Sequence, residues 1–411
     1  MSEGADQVWE GPTGSAGPLA GVRVIECGSL IAGPFCGQLL GDFGAEVIKV
    51  EDPVGGDPMR GWGPQHLDGL SLHWPIIARN KKSVTADLRQ PEGQQLVRDL
   101  AGISDILVEN FRPGTLERWG LGYDVLAAVN AGLILVRISG YGQTGPYARR
   151  AGFGSVGEAM GGIRYVTGEP DRPPSRAGIS LGDSLAATFA AMGAILALRA
   201  RDASGRGQVV DSAIYEAVLA LMESVLPEWE LAGHQRQRTG SVLPGVTPSN
   251  VYPTADGEEV LIGANRDTVF SRLASAMGRP DLAADPRYAT HTARGGRQAD
   301  VDKLVSEWTS TLSADRLLEV LAAAGVPASR IYQTRDMFAD PQFRARQAIL
   351  HLTHNVLGSF PVPAVVPRLS QTPGSVRSLG PALGEHNQDV YGRLLGIGAD
   401  RLQALRERGI I

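Results

Sequence analysis

A single acidic residue, Asp183, stands between a glycine-bearing turn, 176–182, and an apolar run, 185–198, that predicts a helix. A carboxylate at the start of a helix can be reached from solvent, and it can attack an electrophilic carbonyl carbon to form a covalent intermediate. The alternative is that Asp183 only caps the helix, because an acid there satisfies free backbone N–H groups and favours the positive end of the helix dipole. The local pattern by itself favours capping, so the nucleophile hypothesis depends on the rest of the chain.

Further candidate side chains follow predicted strands. Asn110 and Phe111 come after the strand 105–109, and Tyr141 comes after the strand 133–138. The prolines and glycines of these segments are explained by turns alone. Turns do not require an aromatic residue, so Asn110, Phe111 and Tyr141 are predicted to contact a nucleotide base or a pantetheine chain.

Asn80, Lys81 and Lys82 form, with Arg79, a compact polar and basic cluster just before another predicted strand. Such a cluster is either a phosphate contact or a solvated run of charges, and the sequence leaves both open. The chain has neither a G-x-G-x-x-G motif after its first strand nor a G-K-[ST] loop, which disfavours nicotinamide and nucleoside-triphosphate enzymes.

The elements that must position these residues alternate between strand-like and helix-like runs. The pattern predicts an α/β fold with a large Rossmann-like domain, whose mostly parallel sheet has helices on both faces and ligand at the carboxyl ends of the strands. A hairpin about Asp256-Gly257 opens a smaller α+β domain. The predicted segments are a disordered N-terminus, 1–18, a large domain, 19–235, a small domain, 236–335, and a segment returning to the large domain, 336–411.

Composition restricts the partners. The 411 residues are 43% hydrophobic and 20% charged, with a formal net charge of -5 and no long basic block, so no nucleic-acid partner is expected. Cys27 and Cys36 lack the spacing of a metal site or a disulfide framework and are expected to fill the core, and no metal is expected. The start of the chain reads neither as a secretory signal nor as a membrane span, so we expect a cytoplasmic protein without a membrane partner.

An ordered set of short segments resembles the family III CoA-transferases, a family that includes formyl-CoA transferase, carnitine CoA-transferases and, as relatives, α-methylacyl-CoA racemases. The resemblance runs from Leu19 to the C-terminus. The matching segments include Ala32-Gly33-Pro34, Gly44–Glu51, Gly56–Arg60, Asn80–Ser83, Glu109–Gly114, Gly140-Tyr141-Gly142, Gly182-Asp183, Ser204–Gln208 and Gly384-Glu385-His386.

The resemblance implies a CoA-transferase that forms an aspartyl-CoA thioester on Asp183. It implies acyl-CoA and a small carboxylic acid as substrates, no tightly bound cofactor, and a homodimer of two interlocked rings. Asn110, Phe111, Arg118 and Tyr141 fall on positions near the bound CoA, and Asn80, Lys81 and Lys82 fall on its nucleotide side. The loop 240–245 is the counterpart of the family's glycine-rich lid by analogy only.

Departures from the family pattern argue against some of the reactions that members of the family catalyse. Formyl-CoA transferase has other residues where Ile31, Asp52 and Ser139 stand, which argues against exchange between formate and oxalate. Racemase relatives pair the aspartate with a histidine at the position of Phe153, and phenylalanine cannot move a proton. The run 150–168 looks closest to members that use succinyl-CoA and small dicarboxylic acids. An acyl-CoA racemase or isomerase and a non-catalytic CoA-binding protein remain the alternatives.

Overall fold

The computed structural model describes residues 16–411, which form two compact units. Unit 1 contains the described residues up to 163, then 177–224 and 341–411, and unit 2 contains 164–176 and 225–340. The boundaries of the two units differ from those of the predicted domains. Residues 164–176 and 225–235, which were predicted to lie in the large domain, belong to unit 2. The chain returns to unit 1 at residue 341 rather than at 336. Of the N-terminus predicted to be disordered, residues 1–15 lie outside the described residues, whereas the Gly17 carbonyl accepts a hydrogen bond from the Ala20 N–H.

The strands lie in the following order along the chain. They are β1 (Arg23–Glu26), β2 (Glu46–Glu51), β3 (His66–Leu67), β4 (Leu70–Ser71), β5 (Lys81–Thr85), β6 (Ile106–Glu109), β7 (Ile134–Ser139), β8 (Val209–Ala213), β9 (Ser249–Pro253), β10 (Glu259–Gly263), β11 (Ala328–Arg330), β12 (Ile349–His354) and β13 (Gly358–Pro363).

The helices of the first half are α1 (Ala32–Asp42), α2 (Trp74–Ile77), α3 (Pro91–Ala101), α4 (Thr115–Arg118), α5 (Tyr123–Val129), α6 (Gly154–Met160), α7 (Ile163–Val166), α8 (Leu181–Ser204) and α9 (Ile214–Leu219). Those of the second half are α10 (Val225–Ala232), α11 (Asp267–Ala276), α12 (Asp281–Ala284), α13 (His291–Gly295), α14 (Gln298–Thr309), α15 (Ala314–Ala323), α16 (Thr334–Ala339), α17 (Pro341–Ala345) and α18 (Ala399–Glu407). A 3-10 turn covers Pro58–Gly61 and a π-helical turn covers Gln388–Leu394.

Unit 1 is built on a six-stranded sheet in the order β5-β2-β1-β6-β7-β8, in which all neighbouring strands are parallel. The prediction of an α/β fold with a mostly parallel sheet is therefore confirmed. Helices cover both faces of this sheet, and successive strand residues point to opposite sides. Ile25 packs into the core layer that contains α3, and its neighbour Val24 packs into the layer that contains α1 and α8. Cys27 and Cys36 are buried in these two layers, as expected, and burial raises the pKa of each thiol.

Helix α8 is longer than the sequence pattern predicted, because it begins at Leu181 and ends at Ser204, where Gly205 takes a left-handed φ of 70°. Apart from Leu198 at its end, the buried residues of α8 are small and let the helix approach the sheet closely: Gly182, Ala186, Ala187, Ala190, Ala191, Ala194 and Ala197. By length and composition alone α8 could cross a membrane, and 44% of its most apolar stretch is buried inside the protein; a single helix of this kind is weak evidence for a membrane span. It is the one such helix among residues 16–411.

The last part of the chain packs along β5, at the edge of the sheet. The Thr85 N–H donates to Asn387 Oδ1 at 2.9 Å, and the buried Tyr391 hydroxyl donates to the Thr85 carbonyl at 3.0 Å. The Asp87 N–H donates to the Ile410 carbonyl at 2.8 Å. These bonds use backbone groups of β5 and the segment after it.

Unit 2 contains an antiparallel sheet in the order β11-β10-β9, whose hairpin turns at Gly257 with a φ of 79°. The predicted hairpin about Asp256-Gly257 is thus confirmed. A fully buried arginine, Arg294, ties its loops together by donating to the carbonyls of Thr247, Tyr288 and Asn265.

Candidate active site

Asp183 is the third residue of α8, so it lies in the first turn of the helix without being its capping residue. The capping position is Ser180, whose side chain makes no capping hydrogen bond. Asp183 is therefore not the N-cap residue, and as an acid in the first turn it is favoured by the helix dipole. The Asp183 side chain is half-buried. It is neither sealed in the core nor fully solvated.

The carboxyl group of Asp183 lies directly on Gly154, the first residue of α6. A Cβ atom placed on Gly154 would lie 2.2 Å from Asp183 Oδ2 and 3.0 Å from Oδ1, which are distances that no real side chain allows. Glycine is required here because the aspartate fills the space that any side chain would need. Phe153, the residue before Gly154, is 65% exposed and caps α6 in extended conformation.

Tyr141 lies beside the same loop. A Cβ atom on Gly152 would lie 3.3 Å from the Tyr141 ring, and Gly140 and Gly152 are in close backbone contact. The Tyr141 ring packs edge-on against Tyr147, with 5.9 Å between centroids, and the Arg150 guanidinium stacks over Tyr147 at 3.7 Å. The structure thus places Tyr141, at the carboxyl end of β7, near the loop that seats Asp183.

One further predicted residue, Phe111, borders a cleft at the carboxyl ends of the strands. The cleft is lined by residues that follow β1, β2, β5 and β6, and Phe111 is among them. Phe111 packs edge-on against Trp119, with 5.1 Å between ring centroids. Leu88 and Arg89 line another side. The location at the strand ends agrees with the ligand edge expected of an open parallel sheet.

Arg89 and Trp119 are cleft residues that the sequence analysis missed. The signal for Arg89 was available, because it follows the end of β5 just as Phe111 follows β6. The Arg89 Nε donates to Asp87 Oδ1 at 2.7 Å, and its Nη2 donates to Asp52 Oδ2 at 3.1 Å. Lys49, another cation of the lining, is buried between Glu26 and Asp57 at 2.8 Å from each.

The cluster Asn80, Lys81 and Lys82 takes internal partners. Asn80 Nδ2 donates to Asp42 Oδ1 at 2.8 Å, and Asn80 Oδ1 accepts the Arg377 N–H at 2.7 Å. Lys81 is buried, with its Nζ 2.6 Å from Glu26 Oε2. A solvated run of charges is therefore wrong for Asn80 and Lys81, which burial removes from water. Their predicted contact with a phosphate remains untested, and this geometry does not favour it.

The remaining predicted residues differ in the exposure and the partners of their side chains. Lys82 is half-exposed between Glu46 at 2.8 Å and Asp389 at 2.9 Å. Asn110 pairs with the backbone of Ser29 through two 2.8 Å hydrogen bonds, one in each direction. Asn110 therefore shapes the loop after β1. Arg118 is exposed, and its guanidinium group donates to Thr115 Oγ1 at 3.0 Å.

Behind this edge of the sheet lies a buried acid, Glu109. Its Oε1 accepts from Arg137 Nε at 2.7 Å, and its Oε2 accepts the Phe111 N–H at 2.7 Å. Burial raises the pKa of Glu109 to about 7 despite the neighbouring Arg137. Glu109 thus holds the backbone of Phe111 in place from beneath the cleft.

Residues 19–387 match the family model described as CoA-transferase family III. The chain belongs to this family. It is 60% identical to the succinyl-CoA–D-citramalate CoA-transferase of Chloroflexus aurantiacus, over 96% of this chain and 98% of that relative. It is 38% identical to the succinate–glutarate CoA-transferase of Agrobacterium fabrum, over 92% of this chain and 96% of the relative.

The fold is shared with solved structures as well. A CAIB/BAIF family protein from Brucella suis superposes with a TM-score of 0.81 at 36% identity, covering 92% of this chain and 99% of the other. The resemblance read from short segments is therefore confirmed at the level of family and fold. In a family III CoA-transferase the substrates are CoA thioesters, which fits an apolar and charged cleft at the strand ends.

Proposed function

We propose that this family III CoA-transferase moves CoA from succinyl-CoA to a small dicarboxylic acid through a thioester on Asp183. The observation that carries the proposal is the placement of the Asp183 carboxyl group, half-buried on Gly154 in the first turn of α8. The relatives at 60% and 38% identity, a succinyl-CoA–D-citramalate and a succinate–glutarate CoA-transferase, supply the substrate class. D-Citramalate and glutarate are the first acceptors to test.

The reaction needs one carboxylate. An Asp183 oxygen attacks the thioester carbonyl carbon of succinyl-CoA, the C–S bond breaks, and CoA thiolate leaves a mixed anhydride. The thiolate then attacks the Asp183 carbonyl carbon, which releases succinate and forms the aspartyl-CoA thioester. The acceptor carboxylate then attacks the Asp183 carbonyl carbon, the C–S bond breaks, and CoA thiolate leaves a second mixed anhydride. The thiolate attacks the acceptor carbonyl carbon of this anhydride, which yields the new acyl-CoA and free Asp183.

The surroundings of Asp183 support this role. A carboxylate is a weak nucleophile in water, and fixing it against a bound thioester can lower the barrier by roughly 7–11 kcal/mol when the alignment is good. The contact with Gly154 fixes one side of the carboxyl group. Phe153 stands next to that contact and has no proton to give or take, which supports CoA transfer over racemisation.

We place the adenosine end of CoA in the cleft between Phe111, Trp119 and Arg89. Aromatic edges and faces suit a base, and Arg89 is the exposed cation of that lining that a phosphate can reach. Tyr141 and Arg118 stay as predicted CoA contacts. Asn110 acts on CoA binding indirectly, because its side-chain oxygen and nitrogen both form hydrogen bonds with the Ser29 backbone.

The test is trapping of the covalent intermediate. Asp183→Asn should abolish CoA exchange between succinyl-CoA and D-citramalate, and hydroxylamine should modify Asp183 in wild-type protein incubated with succinyl-CoA. The control is Asp124→Asn, because Asp124 is also an acid in the first turn of a helix in unit 1 and lies outside the site. Unchanged exchange in Asp183→Asn, or hydroxylamine labelling at another residue, would contradict the proposal.

We further propose that the protein is an interlocked homodimer in the cytoplasm. The face of α8 that points away from the sheet carries exposed apolar residues, Met192, Ile195 and Leu196, which is typical of a surface covered by a partner. Sedimentation velocity should give twice the chain mass of 43.5 kDa. A monomer at micromolar concentration, or recovery with the membrane fraction of cells, would count against this assembly and location.

A further inference from the structure

Helix α8 begins without a side-chain cap of its own. Ser180 occupies the capping position but donates and accepts no capping hydrogen bond through its side chain. The first residues of a helix have backbone N–H groups with no partner inside the helix, and these need a partner elsewhere. The residue that carries the proposed nucleophile lies in this turn, so its position depends on how the turn is held.

The missing cap comes from another helix. Glu158, in the middle of α6, is buried, and its Oε1 accepts the Gly182 N–H at 3.1 Å. Gly182 is the second residue of α8 and immediately precedes Asp183. A buried carboxylate that accepts a backbone N–H at a helix start forms a charge-assisted hydrogen bond and is also favoured by the helix dipole.

The packing around this bond is close. A Cβ atom on Gly182 would lie 2.9 Å from the Gly154 carbonyl oxygen and 3.0 Å from Glu158 Cγ. Helix α6 therefore touches the first turn of α8 twice, at Gly154 beneath the Asp183 carboxyl group and at Glu158 beneath the preceding backbone. The two contacts together fix both the side chain and the main chain of the nucleophile's turn.

We propose that Glu158 is a positioning residue for the transferase reaction, which acts by holding the Gly182 N–H and thereby aligning Asp183 with the thioester. This inference rests on the proposed function of Asp183. Glu158 need not touch a substrate. Its loss should lower the rate of acyl transfer more than the affinity for acyl-CoA, because a misalignment of about 1 Å can cost about 100-fold in rate.

The experiment compares Glu158→Gln with Glu158→Ala. Glutamine keeps an oxygen that can accept the Gly182 N–H, whereas alanine removes it. For Glu158→Ala we expect kcat to fall by at least about 10-fold with the KM for succinyl-CoA changed by less than about 3-fold. For Glu158→Gln we expect kcat within about 3-fold of wild type. Glu216→Ala, which removes an exposed carboxylate from the adjacent helix α9, is the control and should leave kcat unchanged.

Hydrogen exchange gives a readout that does not depend on activity. Mass spectrometry of a peptide spanning the start of α8 should show faster amide exchange in Glu158→Ala than in wild type or Glu158→Gln. Equal exchange in all three proteins would overturn the inference, as would faster exchange with an unchanged kcat. A wild-type protein that transfers no CoA would overturn the proposed function, and the exchange data would still decide whether Glu158 holds the turn. Should Glu158→Ala fail to fold, Gly182→Ala replaces it, since its methyl group pushes Glu158 and Gly154 away from the turn.

Discussion

At the scale of single residues, the candidate site depends on two residues near Asp183 that have no acidic or basic side chain. Gly154 leaves space for the carboxyl group, and Phe153, the residue before it, has no group that can give or take a proton. Both residues lie at the start of α6, where Phe153 is the N-cap residue and Gly154 the first residue of the helix. The chemistry proposed for Asp183 thus depends on its neighbours as much as on the aspartate itself.

Gly154→Ala should slow CoA transfer without removing any catalytic group. The added methyl group would meet Asp183 Oδ2 at 2.2 Å, so the carboxyl group must rotate away from its position. We expect kcat for CoA transfer to fall by about 10-fold to 100-fold, measured by mass spectrometry of the CoA products. Gly398→Ala is the control, because a methyl group there meets nothing within 4 Å. Full activity in Gly154→Ala would show that the carboxyl group does not work from the position seen here.

At the scale of elements, the C-terminal segment completes the sheet edge that carries the cleft. It bonds to β5 through Asn387 and Tyr391, and β5 leads directly into Leu88 and Arg89 of the lining. A segment more than 300 residues away in the chain therefore supports the start of the cleft wall.

Tyr391→Phe should weaken this support measurably. The substitution keeps the buried ring and leaves the Thr85 carbonyl without the hydroxyl that now donates to it at 3.0 Å. The expected loss is about 1–3 kcal/mol of unfolding free energy, measured by urea denaturation, because a buried acceptor loses its partner. Tyr123→Phe, at a half-buried tyrosine of α5, should change stability by less than about 0.5 kcal/mol. An equal effect of the two substitutions would speak against a special role for the C-terminal contact.

At the scale of the whole molecule, the site rests on buried charges between the strands and their loops. Glu109 and Arg137 form a buried pair beneath the cleft, and Glu117 shares Arg137 from the exposed side. The pKa values of the two acids, Glu109 and Glu117, are shifted in opposite directions. Burial raises the pKa of Glu109 to about 7, whereas the Arg137 hydrogen bond lowers the pKa of Glu117.

Glu109→Gln should change how stability depends on pH. In wild type the folded protein keeps the Glu109 proton while the unfolded chain releases it, so the contribution of Glu109 is lost as pH rises from about 4.5 to about 7. We expect the difference in unfolding free energy between wild type and Glu109→Gln to fall by on the order of 2–3 kcal/mol across that range, followed by urea unfolding. Glu117→Gln should show the opposite sign, because a lowered pKa stabilises above the ordinary pKa and is lost as pH falls. A pH-independent difference for Glu109→Gln would mean that Glu109 is ionised in the folded protein.

The sequence by itself determined the fold class and the family. Apolar strands that alternate with helices are typical of a parallel sheet covered on both faces, which is the sheet that the structure has. The sequence also predicted that Asp183 lies at the start of a helix, because the glycine-bearing turn before it and the apolar run after it are local features. Phe111 and Tyr141 could also be predicted at the ligand edge, because the carboxyl ends of parallel strands meet there.

Only the tertiary structure decided which polar side chains are available to a ligand. Asn80 and Lys81 look like a basic surface cluster in sequence, but partners far along the chain, Asp42 and Glu26, bury them. Trp119 became visible as a cleft residue only in the structure, which also brings Arg89 into the same lining as Phe111. The same holds for Glu158, whose bond to the start of α8 joins residues 24 positions apart. Burial and pairing depend on contacts between distant segments, and local spacing carries no information about them.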